Sequence, residues 1–156
     1  MAYDQQIGIV TETLQNSITI VSLSFDLWTS GNALALLGVV AHFIDERGIP
    51  LTLLLSLPRQ KGTHSGVNIA DSVAEVIAHY NLSYKIGYFI TDNASNNATC
   101  LEALGAEYGF KPTDRWIRCA GYVLNLCAQA ILFNQDPEAF ELELESTQQN
   151  EQLLLD

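Results

Sequence analysis

The chain has 156 residues, about half of them hydrophobic, which is enough for one domain with a real core. Its net charge is −11, and seven of its eighteen acids, with no base, fall between Asp136 and Asp156; the other 135 residues carry a net −4. That balance excludes a stand-alone basic DNA binder. The longest apolar run, Leu34 to Phe43, is broken by Gly38 and His42 and falls far short of the ~20 residues of a membrane helix.

No basic and apolar leader opens the chain, so the expectation is an intracellular protein with no membrane partner. Three cysteines, Cys100, Cys119 and Cys127, without C-x-x-C spacing argue against a disulfide framework or a zinc ribbon.

Residues 1–17 have weak helical spacing (Ile7, Val10, Leu14) and form a lead-in. From Ile18 to Trp28, Val21, Leu23, Phe25 and Leu27 alternate with polar residues, the period of a strand. A turn at Ser30-Gly31-Asn32 leads to an apolar strand over Leu34–Ile44, and a second turn at Asp45–Gly48 to a third strand over Leu51–Leu57. Helical spacing of Ile69, Val73, Val76, Ile77 and Tyr80 follows, with His64 as a cap. Ile86–Thr91 reads as a strand buried on both faces, parallel to its neighbour because a helix precedes it.

Ala94–Tyr108 reads as a helix and Trp116–Cys119 as a short fifth strand. Gly121–Phe133 reads as a helix with Leu124, Cys127, Ala128, Ile131 and Leu132 on its buried side. The acidic stretch 136–156 reads as a solvated helix or linker. Three antiparallel strands followed by parallel ones predict an α/β fold, a mixed five-stranded sheet with flanking helices on both sides. This is the ribonuclease-H-like order, in which the first and fourth strands are neighbours. The core is expected over residues 18–135.

Two acids stand out. Asp26 and Asp92, 66 residues apart, each sit at the end of an apolar strand. Two carboxylates about 4 Å apart repel by roughly 4 kcal/mol at an effective dielectric near 20, so a proton or a cation must intervene. Mg²⁺ or Mn²⁺ suits such a pair, because the remaining ligands can be water or phosphate oxygens. The competing reading is structural: Asp26 capping a turn with Thr29 and Ser30, and Asp92 capping the helix after it. The polar run Asn93, Ser95, Asn96 and Asn97 can hold a metal or phosphate, or cap that helix. Trp28 is read as packing, His42 as a satisfied core histidine, and Lys111, Arg115 and Arg118 beside Trp116 as a weak basic group. Asp71 and Glu75, four apart on a helix, are candidates for extra acids but are better explained as solvated.

Five ordered segments carry a resemblance: Ser24-x-Asp26-x-Trp28-Thr29-Ser30, His42-Phe43-Ile44-Asp45, His64-Ser65-Gly66-x-Asn68-Ile69, Thr91-Asp92-Asn93-Ala94-Ser95-Asn96-Asn97 and Arg118-Cys119-Ala120-Gly121-Tyr122-Val123-Leu124-Asn125-Leu126. Together they resemble the hAT superfamily of DNA transposases. The resemblance implies a ribonuclease-H-like core for cut-and-paste transposition by a metal-bound Asp-Asp-Glu triad, with Asp26 and Asp92 as its first two acids. It implies DNA (transposon ends) as partner, a nuclear location, and Trp28, Thr29, Asn93, Ser95, Asn96, Asn97, Arg118, Tyr122 and Asn125 as residues that shape the site or touch DNA. The family's glutamate follows a large helical insertion, and the chain ends at Asp156, about where that insertion begins, so the triad is expected to be incomplete and the chain inactive alone. Tyr122 stands where the family has histidine, and it cannot act as a cation at neutral pH. The alternative is a remnant or domesticated module that binds protein or DNA without chemistry. Apolar surface around Val123 and Ile131 is expected to promote self-association.

Overall fold

The structure is a computed structural model and describes residues 2–31, 34–60 and 65–133. The chain opens with a helix, α1 (Ala2–Gln15), followed by strands β1 (Val21–Thr29), β2 (Ala35–Ile44) and β3 (Pro50–Ser56). Helix α2 (Gly66–His79) leads to β4 (Ile86–Thr91) and α3 (Ser95–Tyr108). A short turn of helix, α4 (Pro112–Arg115), precedes β5 (Trp116–Arg118) and α5 (Ala120–Phe133).

The five strands form one sheet in the order β3-β2-β1-β4-β5. β1–β2 and β2–β3 are antiparallel, while β1–β4 and β4–β5 are parallel. This is the mixed ribonuclease-H-like sheet, and it places β4 directly beside β1. The antiparallel part arises because Ser30-Gly31 and Asp45–Gly48 are tight connections; Asp45 Oδ1 accepts from the amides of Arg47 and Ile49 at 2.9 and 2.8 Å. The parallel part needs a crossover, which α2 supplies.

Alternation in β1 decides which side of the sheet is dry. Val21, Leu23 and Phe25 are buried, with Leu37, Val39 and Ala41 of β2 and Phe89 of β4 in the same cluster. Ile69, Val73 and Ile77 of α2 and Leu101 and Leu104 of α3 close that cluster, and Leu14 of α1 is fully buried in it. Ser65 caps α2, its hydroxyl accepting from the Asn68 amide at 3.3 Å. α2 and α3 approach so closely at Gly66 that a Cβ there would stand 2.3 Å from the Asn96 carbonyl oxygen.

The opposite face carries Ser22, Ser24, Asp26 and Trp28, which lie across from His42, Val40, Gly38 and Leu36. The helices that contribute to the core cluster, α1, α2 and α3, lie on the first face, and Tyr122 of α5 reaches the second. The side expected to be buried on α5 is the main correction. Leu124, Ile131 and Leu132 are 69%, 81% and 73% exposed, and Cys127 is exposed too. Helical spacing marks an apolar stripe but says nothing of what lies against it. The His64 cap and the acidic stretch lie outside the described residues.

Candidate functional site

Parallel pairing of β1 and β4 sets Ser24 level with Ile90. Two residues on, the same register brings Asp26 level with Asp92, just past the end of β4. Both acids line one open cavity of about 650 Å³ at that end of the sheet. Desolvation first, and the nearby Asp92 charge second, push the Asp26 carboxyl above its ordinary range; a hydrogen bond with the Leu27 backbone pulls the other way. Asp26 remains partly open to water at the cavity mouth.

Asp92 is held from the helix that follows it. Its Oδ1 accepts from the Ala94 amide at 3.1 Å and from the side-chain amide of Asn97, which is only 8% exposed. α3 has Ala94 at its N-cap and no side-chain cap there, so Asp92 contributes to ordering the strand-to-helix turn as well as lining the cavity. Asp26 does not cap a turn: it sits within β1 opposite Gly38, and the Ser30 hydroxyl accepts from the Leu34 amide instead.

The end of β4 is braced from β5. The Trp116 indole N–H donates to Thr91 Oγ1 at 2.9 Å, and the Cys119 amide donates to the Thr91 carbonyl at 2.7 Å. That second bond carries the chain past β5 so that Cys119 and Tyr122 complete the cavity wall. Arg118 stacks on the Trp116 ring, 4.7 Å from its centroid. Arg115 is committed elsewhere: its guanidinium donates to the Ile86 and Gly87 carbonyls at 2.7 and 2.9 Å.

The remaining wall is apolar and comes from β1, β2, β3 and the residue just past β3: Trp28, Val40, Leu54 and Leu57, with Gly38 beneath the Trp28 ring. No motif pointed to Val40, Leu54, Leu57 or Gly38; only the antiparallel register reveals them. Of the other residues singled out in the sequence, Thr29, Asn93, Ser95, Asn96, Arg118 and Asn125 do not line the cavity. Asn93 and Asn96 are half-buried in the turn beside Asp92, while Thr29, Ser95 and Asn125 are exposed. His42 is satisfied, its Nε2 sharing a hydrogen bond with Ser24 Oγ at 2.8 Å and its Nδ1 facing Thr52 Oγ1 at 3.3 Å. Asp71 and Glu75 are exposed on α2, away from the acid pair.

Among the described residues, no group of three or more His, Cys, Asp and Glu side chains is placed to hold a metal ion. Nor is any helix among them long and apolar enough to cross a membrane.

Parts of the chain are similar to known proteins. A Talaromyces stipitatus protein assigned as a transcriptional regulator, tpeD, is 27% identical over 84 residues, covering 54% of this chain and 10% of that protein. Two Zea mays proteins, assigned as the AC and AC9 transposases, are each 24% identical over 117 residues, covering 69% of this chain and 14% of each of them. The chain thus spans a small part of the length of these relatives. Residues 24–112, more than half of the chain, match the family model of the ZBED1 RNase-like domain. That stretch holds Asp26, Asp92, all of β2, β3 and β4 and most of β1, and the chain belongs to this ZBED1 RNase-like, hAT-related family.

Proposed function

We propose that the chain carries the two-aspartate portion of a hAT-type transposase catalytic site that acts on DNA at transposon ends. One observation carries the reading: Asp26 and Asp92, distant in sequence, line a single cavity on adjacent parallel strands. The maize relatives assigned as transposases support the substrate class.

The donor set fits a hard divalent cation such as Mg²⁺ or Mn²⁺, which takes one or two carboxylates and otherwise oxygen ligands. The upward push on Asp26 from burial first and from its neighbour second supports this, because a cation relieves both desolvation and repulsion. Asp26 and Asp92 would hold it. When bound, it would polarise a phosphate and lower the pKa of a bound water or hydroxyl.

The chain's own groups do the positioning. Asn97 and the Ala94 amide fix the orientation of the Asp92 carboxylate, leaving its other oxygen for a ligand. Trp28, Val40, Leu54 and Leu57 form the apolar wall of the cavity. Tyr122 adds a polar tip where a cationic histidine would attract the scissile phosphate more strongly.

With two acids in the cavity among the described residues, the 156-residue chain binds metal weakly and does not transfer strands on its own. Location in the nucleus follows from the same reading. Self-association is part of it too, supported by the exposed Val123, Leu124 and Ile131 on α5 and measurable by light scattering.

The test is Mn²⁺ titration followed by electron paramagnetic resonance. Wild type is expected to bind, and Asp26→Asn and Asp92→Asn to lose binding. If all three titrate alike, the acid pair is not a metal site and the non-catalytic interaction module replaces this reading. Strand cleavage or transfer by the chain alone would refute its inactivity.

A further inference from the structure

β3 is the end strand of the sheet. The geometry of β2 shows which of its backbone groups face outward. Ile44 donates its amide to Thr19 Oγ1 at 2.9 Å and accepts from the Ile18 amide at 3.0 Å, both on the side of β1. Its pairing with Pro50 across the β2–β3 ladder is therefore a non-hydrogen-bonded one. Antiparallel alternation then turns Leu51 and Leu53 toward β2, and the amides and carbonyls of Thr52 and Leu54 toward the open edge. Thr52 is exposed and Leu54 is 61% exposed.

Beyond Leu54 the register slips, from Val40↔Leu54 to Val39↔Ser56. The Leu55 carbonyl accepts from the Tyr80 hydroxyl at 3.0 Å. The open edge is thus short. It is also uncharged: Pro50–Ser56 lacks the lysines that commonly blunt such edges. Next to it, between the end of β3 and α2, runs a groove of about 250 Å³ whose walls include Ser56, Ser72, Glu75, Val76 and His79.

We propose that this edge and groove dock an extended, basic segment of a partner protein as an added strand. Outward-facing backbone groups two residues apart are the requirement for strand addition, which draws affinity from the main chain and specificity from adjoining pockets. Glu75 in the groove and the net charge of −11 select Lys or Arg side chains. A second copy would bring another −11, and the stretch 136–156 carries seven acids and no base, so charge disfavours both as occupants. The proposal does not depend on the acid pair.

The probe is a labelled ten-residue peptide of alternating Lys and Val, read by fluorescence anisotropy against the full chain. Expected are saturable binding, slowed amide exchange at Thr52 and Leu54, and affinity loss of about tenfold or more in Glu75→Lys and in Thr52→Pro, which removes an edge amide. Glu102→Lys makes the same charge change on the exposed surface of α3 and is expected to leave affinity within about twofold. Glu75→Lys keeps the test decisive if Thr52→Pro does not fold. Binding without protection at Thr52 and Leu54, an equal loss in Glu102→Lys, or no binding at all would overturn the proposal. So would slow exchange of the Thr52 and Leu54 amides in a dimer of the chain alone, since the occupant would then be a second copy.

Discussion

The Trp28 ring lies directly over Gly38: a Cβ on residue 38 would stand 3.1 Å from Trp28 Cζ3. The two residues are on neighbouring antiparallel strands, with Gly38 opposite Asp26 and Trp28 two residues further along β1. The missing side chain lets the indole fold down beside the acid as the cavity's apolar wall. Gly38→Val should lift the ring, with a loss of about 1–3 kcal/mol in stability from overpacking. Urea unfolding with tryptophan fluorescence, in a Trp116→Phe background, checks both effects. An unchanged midpoint and emission maximum would mean that the ring is not seated on Gly38.

Gly66 and Gly8 should respond in opposite directions to the same substitution. At Gly66 an added Cβ meets backbone of α3, 2.3 Å from Asn96 O and 2.7 Å from the Cys100 amide nitrogen, and backbone cannot swing aside. Gly66→Ala is expected to cost about 1–3 kcal/mol or more. Gly8 lies in α1 with nothing within 4 Å, so Gly8→Ala is expected to add about 0.5–1 kcal/mol through helix propensity. Thermal unfolding of the two variants decides the matter. Equal shifts would contradict the close approach of α2 and α3.

Lys85 fastens α1 to the body. Its ammonium donates to the carbonyls of Leu14, Gln15 and Ser17 at 3.3, 2.6 and 2.8 Å, where the helix end carries unsatisfied oxygens and negative dipole charge. Lys85→Met keeps the stem and removes the donor. It is expected to cost about 1–3 kcal/mol, with faster amide exchange concentrated in α1. Loss spread evenly over the sheet would point to another role.

Asp26 has a defined pH signature. Its carboxyl titrates above the ordinary 3.8 in the folded chain. The folded state therefore keeps this proton over a range where the unfolded chain has lost it. That contribution to stability is present at low pH and is lost as pH rises from 3.8 through the folded value. Asp26→Asn is expected to be the more stable protein at pH 7 in EDTA, with the advantage vanishing below about pH 3.5. Because the group is partly open to water, the gain should stay under about 1 kcal/mol. Urea midpoints across pH test the sign, and a variant less stable than wild type at pH 7 without metal would contradict it.

The three thiols should separate by reactivity. Burial pushes Cys100 up to about 12, so it has almost no thiolate at neutral pH and no access. Cys127 is exposed and Cys119 half-buried in the cavity wall. With Ellman's reagent at pH 8, Cys127 is expected to react first, Cys119 more slowly, and Cys100 only on unfolding. Peptide mapping by mass spectrometry reads the order. Early labelling of Cys100 would mean that α3 opens readily.

By itself the sequence determined the strands, the crossover helix and the two acids, because each rests on local chemistry. Period-two alternation in Val21–Leu27, the polar turns around Gly31 and Gly48, and an aspartate ending each apolar run need no knowledge of distant residues. What lies against each apolar stripe was left to the tertiary structure. Leu14 belongs to a weak helical pattern and is fully buried, whereas Leu124 and Ile131 belong to a strong one and are exposed. Periodicity reports that a face is apolar, but burial depends on whether another element reaches it. The cavity wall follows the same logic: Gly38, Val40, Leu54 and Leu57 meet the acid pair only through strand register, a pairing between segments that no local pattern encodes.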